Sequence, residues 1–343
     1  MNKAALFTDI HFGRKNNSNE HNQDCIDYIN WFSQNVKNDP TIDHIIFMGD
    51  WHESRNSISG LTLDYSIQGA DIINELGLPV YFIVGNHDLF YRKERKVYTP
   101  IIFKGFENFN LISQIQSFSE LKNVLFVPYL FENEFPDLIK NTKNIDHIFS
   151  HLEFKDFIMT GDFKKSESGM DANNIKHIKN IFCGHFHKRQ SKNNIHYIGN
   201  TFQMDFSDIN DFNKGMCTFE YKNNDIKYID YLKGPKYIKC KTSELMDNHK
   251  NILHENSYVI AYDDLKLDYE TLFSINEKFC KKYKLRNFHV EQFQINLDLE
   301  EEDLKTEEHE DIENSIKKAL EENIKSDDID NKKLLKIYNE IVI

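Results

Sequence analysis

Five short motifs punctuate the first half of the chain: Asp9-Ile10-His11, Gly49-Asp50, Gly85-Asn86-His87-Asp88, Ser150-His151 and Gly184-His185-Phe186-His187. Each has a plain reading by itself. A lone histidine is usually a satisfied structural residue, and an aspartate after a strand is usually a turn former or helix cap. Here all five stand at or just beyond the C-terminal ends of apolar, strand-like runs, where ligand sites of α/β sheets gather. Carboxylates, imidazoles and one amide oxygen suit manganese, iron or zinc better than a calcium cage, and the absence of cysteine ligands from the set argues against structural zinc. The chemistry of such a set is hydrolysis of a phosphate ester, in which two cations about 3.5–4 Å apart clamp the phosphoryl group and ionise a water. Asp50 is suited to bridge them, because a carboxylate can offer one oxygen to each cation. Asp9 and His11, one residue apart, can both enter the site from one loop. Asn86 adds a neutral oxygen, so the site stays positive enough to admit phosphate.

Positioning these side chains requires alternating strands and helices. Strands are predicted at Ala4–Thr8, His44–Met48, Val80–Val84, Asp146–Phe149, Ile181–Cys183, Ile195–Ile198, Gly215–Tyr221 and Asp225–Leu232, with amphipathic stretches between them, the pattern of a layered α/β domain. Cys25–Val36 and Ser66–Leu76 are predicted helices, the second stopped by Gly77 and Pro79. Lys222-Asn223-Asn224 is a hairpin signal, and Gly234-Pro235 marks a boundary. A smaller segment follows, with strands at Tyr258–Tyr262 and His289–Leu297 flanking a helix. Leu299–Asp311 is an acidic linker. Beyond it, Ile312, Ile316, Ala319, Leu320 and Ile324 form one apolar stripe, and Leu334, Leu335, Tyr338, Ile341 and Val342 a second. The expected organisation is therefore 1–232, a larger α/β domain that carries the motifs; 233–298, a smaller domain; 299–311, the linker; and 312–343, a helix-loop-helix that packs on its own domain or docks a partner.

The net charge of −13 does not exclude an anionic substrate. Residues 298–330 hold 15 acidic and 4 basic side chains, a balance of −11; residues 1–297 carry −4 and the last thirteen +2. The negative charge thus belongs mostly to one C-terminal stretch. Five scattered cysteines with no CxxC pair argue against a disulfide framework and for a reducing cytoplasm. The longest apolar run, Val124–Phe131, is too short to span a bilayer, and the N-terminus has no leader-like segment.

The motif set resembles the calcineurin-like metallophosphoesterases. Within them, residues 1–232 resemble the SbcD-like nuclease subunit of the double-strand-break repair complex. The stretch Ile195–Met204, with His196-Tyr197-Ile198-Gly199-Asn200-Thr201, and Val127-Pro128-Tyr129 are similar to its T4-like phage members. The resemblance implies a two-sheet sandwich flanked by helices as the catalytic domain over 1–232, a small α/β capping, DNA-binding domain over 233–298 and a C-terminal helix-loop-helix. It also implies that Asp9, His11, Asp50 and His187 hold one metal, and that Asp50, Asn86, His151 and His185 hold the other, the pair being manganese. His87 would be the catalytic histidine, and Glu53, where relatives often carry Asp or His, could orient it. Implied partners are DNA, a coiled-coil SbcC-type ABC ATPase docked by the helix pair, and a second copy of the chain within a heterotetramer. The expected location is the cytoplasm, the host cell's if the chain is phage-encoded.

Arg92, Lys93, Arg95 and Lys96, close behind the Asn86 motif, and Lys188 and Arg189 are candidates for contacts to a nucleic-acid backbone, although a solvated face explains each equally well. A phosphoprotein or nucleotide phosphodiesterase is the alternative activity. Protein phosphatases of the superfamily carry Asp-Arg-Gly after the bridging aspartate and close the asparagine motif with Glu. Asp50-Trp51-His52 and Asp88 differ on both counts. A non-catalytic scaffold has no need of the full ligand set.

Overall fold

Along β1 (Lys3–Phe7), Ala5 and Phe7 face one way and Ala4 and Leu6 the other, and all four are fully buried. A strand alternates its side chains between two faces, so apolar residues at every position require cover on both. The computed structural model describes residues 2–160 and 164–292, and it supplies that cover as a two-sheet α/β sandwich flanked by helices. Beside β1 lie β2 (His44–Phe47), β3 (Val80–Ile83), β6 (Phe109–Ile112), β14 (Gly215–Glu220) and β15 (Asp225–Asp230), in the order β15-β14-β1-β2-β3-β6. Within this sheet β1, β2, β3 and β6 run parallel, and β14 and β15 form an antiparallel margin. A second sheet runs β12 (Gln190–Lys192), β13 (Ile195–Tyr197), β11 (Asn180–Cys183), β8 (His147–Ser150), β7 (Val124–Val127); the last four are parallel.

Leu6, Ile46, Tyr81 and Phe219 of the first sheet meet Val124, Phe126, Phe149 and Phe182 of the second in the inner core. The outer face of the first sheet packs Phe7, Phe47 and Phe82 on Tyr28, Phe32 and Ile73. These come from α2 (Asn19–Asn38) and α3 (Gly60–Asn74), the latter N-capped by Ser59, whose hydroxyl accepts from Thr62 N–H. The outer face of the second sheet packs Val127, Ile148 and Ile181 on Leu138 of α4 (Phe135–Asn141), and on Phe154 and Ile175. Two short hairpins, β4 (Leu89–Tyr91) with β5 (Glu94–Tyr98) and β9 (Ile158–Thr160) with β10 (Lys164–Lys165), complete this part.

From residue 237 onward a parallel three-stranded sheet forms, β16 (Tyr237–Lys241), β17 (Tyr258–Asp263) and β18 (Asn287–Gln292), connected through α5 (Thr242–Ile252) and α6 (Tyr269–Tyr283). Its core is Leu245, Val259, Ala261, Ile275, Phe279 and Phe288. It is bound to α2 by Arg286, whose guanidinium donates to both oxygens of Asp24 at 2.5 and 2.6 Å. The acidic linker, the helix pair 312–343 and the end of the strand expected at His289–Leu297 lie outside the described residues.

Several elements differ from the sequence expectation. α2 begins six residues earlier than Cys25, capped by Ser18. Its first turns bury His21, Asn22 and Asp24, so a polar stretch that carries no apolar period is helical because it serves the neighbouring loop. β6, β7, β12, β16, α4, α5 and the β4–β5 and β9–β10 hairpins are additions. β7 is four apolar residues buried on both faces, and it lies within the apolar run Val124–Phe131 that the sequence reading assigned to no strand.

Candidate metal centre

All five motifs lie on the loops that follow β1, β2, β3, β8 and β11 at the carboxyl ends of parallel strands, three from the first sheet and two from the second. The loops can converge because their glycines lack side chains. A Cβ on Gly49 would stand 2.3 Å from His151 Nδ1, one on Gly85 2.2 Å from Asp50 Oδ1, and one on Gly184 2.2 Å from Thr8 Oγ1. Asp9, His11, Asp50 and His185 adopt positive φ, 52°, 53°, 60° and 82°, a region L-residues avoid unless their surroundings over-determine it. Those surroundings are visible. Asp9 N–H and His11 N–H donate to the carbonyls of Gly49 and Asp50, and Asp88 accepts the backbone N–H groups of Asp50, Trp51, His52 and Gly85 at 2.9–3.2 Å.

Two groups of ligating atoms result, each within 4.8 Å: Asp9, His11 and His187, and Asp50, His151 and His185. In the first, His11 Nε2 lies 3.2 Å from His187 Nε2 and 3.8 Å from Asp9 Oδ1, and His187 Nε2 lies 3.8 Å from that same oxygen. In the second, His151 Nε2 lies 3.2 Å from Asp50 Oδ2 and 2.9 Å from Asn86 Oδ1, which is also 2.8 Å from His185 Nδ1. Asp50 Oδ2 is 4.0 Å from His11 Nε2, so one carboxylate stands between the groups. His11, Glu53 and His87 form a third such cluster.

These residues fit a cation. His151 Nδ1 is 2.6 Å from the Met48 carbonyl, which accepts only, so the Nδ1 proton is spoken for. A neutral His151 then directs its Nε2 lone pair at the Asp50 and Asn86 oxygens, an arrangement that requires positive charge between them. Without metal a proton supplies it. Burial opposes charging His151, but Asp50 and the Met48 carbonyl raise its pKa to about 9. His11 is likewise raised to about 10 against burial, by Asp9 and Glu53, and Asp50 is held well below the carboxylate range despite its burial, chiefly by His151 and His87. Burial pushes His185 and His187 down to about 4; as neutral rings they keep lone pairs to offer.

His87 N–H donates to Asp50 Oδ1 at 2.8 Å, and its Nδ1 is 2.9 Å from the Glu53 carbonyl oxygen. With that proton engaged, Nε2 is the nitrogen left for chemistry. Of Glu53, the expected partner of His87, only the backbone carbonyl meets that ring. Its carboxylate is elsewhere, 2.8 Å from His11 Nδ1 and 3.2 Å from Arg14 Nη1. His52 is buried between Ser66 and Thr99 hydroxyls, at 2.7 and 2.9 Å, and is no solvated loop residue.

Of the basic candidates, Arg92 and Lys93 are exposed at the tip of the β4–β5 hairpin. Arg95 donates to the Glu134 carboxylate and the Tyr129 carbonyl, Lys96 pairs with Glu94, and Arg189 pairs with Asp230 under the Tyr228 ring. Arg95 and Arg189 are thereby tied into the fold, whereas Lys96 and Glu94 are both exposed on one strand. Arg14, Asp205 and Tyr129, whose ring centroid lies 5.8 Å from that of His185, escaped the sequence reading of the site. Arg14 follows His11 by three residues, but nothing in spacing points to Asp205.

The calcineurin-like phosphoesterase profile matches residues 3–189, more than half of the chain. The chain belongs to this family of phosphoester hydrolases. Exonuclease subunit 1 of Enterobacteria phage T4 is 22% identical over 192 residues, covering 53% of this chain and 54% of that protein; the chain spans about half the length of that relative. Among solved structures, a dimetal phosphatase from Danio rerio aligns with a TM-score of 0.41 at 12% identity, covering 64% of this chain and 92% of its own. A purple acid phosphatase from yellow lupin (Lupinus luteus) seeds aligns at 0.38 and 14%, covering 56% and 39%. No helix among the described residues is long and apolar enough to cross a membrane.

Proposed function

We propose that the chain is a manganese-dependent two-metal DNA nuclease, cutting phosphodiester bonds as the nuclease subunit of an ATPase–nuclease complex that processes double-strand breaks. The observation that carries the two-metal part is the placement of Asp50 between two separate ligand groups. Asp9, His11, Asp50 and His187 would hold one ion, and Asp50, Asn86, His151 and His185 the other. The pair, when bound, offsets phosphate charge and lowers the pKa of water to supply a nucleophile. The chain's own residues do the rest. His87, its ring fixed by the Glu53 carbonyl, has Nε2 available to steady a phosphate oxygen or to give a proton to the leaving 3′-oxygen.

DNA as substrate is supported by the likeness to a phage exonuclease subunit and by the segment 233–298, which we assign as the cap beside the catalytic domain 1–232. Its edge offers a 320 Å³ cleft lined by Phe212, Lys236, Tyr237 and Lys239. Lys236 Nζ lies 5.6 Å from the Phe212 ring and Lys239 Nζ 5.8 Å from Phe206. Lysines interleaved with aromatic rings suit a nucleic-acid strand, phosphates on the cations and bases on the rings. The same proposal gives 299–311 as linker, 312–343 as the dock for a coiled-coil SbcC-type ATPase, and a homodimer. Leu61 and Ile67 of α3, with Phe90 and Val97 of the hairpin, are exposed apolar groups available to a partner copy.

The deciding experiment offers the chelated, then manganese-loaded protein duplex DNA, single-stranded circles, cyclic nucleotides and a phosphopeptide side by side. Manganese-dependent cutting of DNA, lost in Asp50→Asn, is expected. Turnover of only the phosphopeptide or the cyclic nucleotides would transfer the site to the alternative activity.

A further inference from the structure

Immediately after His11 the chain makes a left-handed turn, α1 (Arg14–Asn17). Gly13, Lys15, Asn16 and Asn17 have φ of 90°, 56°, 55° and 61°, and only the first is glycine. Consecutive L-residues hold this conformation only where contacts enforce it. Gly13 N–H donates to Asn22 Oδ1 at 2.8 Å, and Thr62 Oγ1 donates to Asn17 Oδ1 at 2.9 Å. The turn aims its first two side chains at different places. Arg14 spans two carboxylates, Nη1 to Glu53 Oε2 at 3.2 Å and Nη2 to Asp205 Oδ2. Lys15 leaves in the direction of residues 237–258. Its ammonium stands 3.8 Å from the Tyr258 ring centroid and 4.8 Å from that of Tyr237, and it donates to the Tyr237 hydroxyl. The two tyrosine rings are stacked, 7° apart in plane.

Resting on the metal-centre reading above, we propose that Arg14 is a positioning residue for His11, acting through Glu53, and that Lys15 makes this positioning depend on the docked cap. The chain of contacts is unbroken. His11 Nδ1 lies 2.8 Å from Glu53 Oε2, so the carboxylate engages that side of the ring and Nε2, which faces Asp9 and His187, is the ligand atom. Such carboxylate partners of a ligating histidine orient the ring and raise its basicity. Glu53 is partly exposed and has rotameric freedom of its own; Arg14 removes it, and Asp205 anchors Arg14 from the far side. Asp205 is itself held, its Oδ1 accepting from Ser207 N–H at 2.7 Å. The strained turn fixes Arg14 and Lys15 in succession, so a displacement of Tyr237 and Tyr258 is passed to the Glu53–His11 pair without touching any ligand directly.

The test is calorimetric titration of manganese into the chelated full-length chain, with circular dichroism as a check on folding. Wild type should bind two ions. Arg14→Ala should weaken one of them about 10–100-fold, the usual cost of losing a ligand's outer partner, and leave the other unchanged. Arg14→Lys, which keeps the charge but cannot span both carboxylates, should recover part of the loss. Glu53→Gln should reproduce it without disturbing the turn, which covers the case in which Arg14→Ala misfolds. Lys15→Met should weaken the same ion by a smaller factor. Two ions bound at wild-type affinity in Arg14→Ala and Glu53→Gln would overturn the relay alone. Equal weakening of both ions would make Arg14 a general structural residue and overturn it too. Wild type binding no manganese would instead bring down the metal centre on which the relay rests.

Discussion

His151 Nε2 lies 3.2 Å from Asp50 Oδ2, a contact that joins the loop after β8 in one sheet to the loop after β2 in the other. Neither loop has the other as a sequence neighbour; 100 residues separate them. The contact therefore exists only because the sandwich closes, and the centre is as much a product of sheet packing as of its ligands. Gly49 and Gly184 mark the places where that closure leaves no room for a Cβ.

His87 should separate catalysis from assembly. Its backbone N–H donates to the Asp50 carboxylate and its ring Nδ1 meets the Glu53 carbonyl, and the ring is not needed to complete either ligand group. In His87→Ala, manganese stoichiometry and DNA affinity are expected to stay at wild-type values while turnover falls about 10²–10⁴-fold, the usual worth of a positioned acid or base. Single-turnover kinetics at saturating DNA measures this. An unchanged turnover number would make His87 a structural residue.

His52 gives the fold a pH dependence of known sign. Burial pushes its pKa down to about 3, against about 6.5 in an unfolded chain. On acidification the unfolded state takes the proton first. His52 therefore costs nothing above about pH 6.5 and destabilises progressively as pH falls toward 3, by about 2 kcal/mol at pH 5. His52→Gln, which can still bond to Ser66 and Thr99, should lose stability at pH 7.5 yet recover about 2 kcal/mol relative to wild type at pH 5. Urea unfolding of the chelated proteins at both pH values reads the difference. Parallel pH profiles would mean that His52 is charged or hydrated in the fold.

The cap cleft makes a separate prediction. If Lys236 and Lys239 contact phosphates, Lys236→Ala with Lys239→Ala should weaken DNA binding and lower the slope of log affinity against log salt by about 0.7–0.9 per lost contact. Hydrolysis of a small diester such as bis(p-nitrophenyl) phosphate should be unaffected, because it has no strand to lay in the cleft. Fluorescence anisotropy across a salt series supplies the slope, and an unaltered slope would remove the cleft from the DNA path.

How much was legible beforehand follows from what each residue does. Asp9, His11, Asp50, Asn86, His87, His151, His185 and His187 were visible because their types are costly to bury without a function and because each closes an apolar strand. The strands of both sheets were visible from their apolar runs, except β6, β7 and β12. Arg14 and Asp205 were not, since a salt bridge between residues 191 apart has no periodicity and its members look like surface charge. The polar first turns of α2 were lost because His21, Asn22 and Asp24 are buried to serve other groups, with His21 Nε2 2.9 Å from the His11 carbonyl. Glu53 was legible as a site residue, but which of its groups faces His87 was decided by the loop's backbone.

The helix pair expected from sequence at 312–343 yields the last prediction, since residues 293–343 lie outside the described structure. The described fold has its own core up to β18, with Phe288 among the buried residues of the cap. Truncation after Asp298 therefore removes no residue of that core, and manganese-dependent cutting of simple DNA substrates should survive it. If the apolar stripes led by Ile316, Leu320, Leu335 and Tyr338 form the short helices their spacing predicts, those helices are too short to be stable alone in water and must bury against something. A groove on an ATPase partner, engaged at i, i+4 and i+7 spacings, is one such surface. Leu320→Asp with Leu335→Asp should then abolish co-purification with the coiled-coil ATPase while leaving the melting temperature of the chain unchanged. A melting temperature lowered by several degrees, with the ATPase still bound, would place the helix pair in the chain's own core and end the docking proposal.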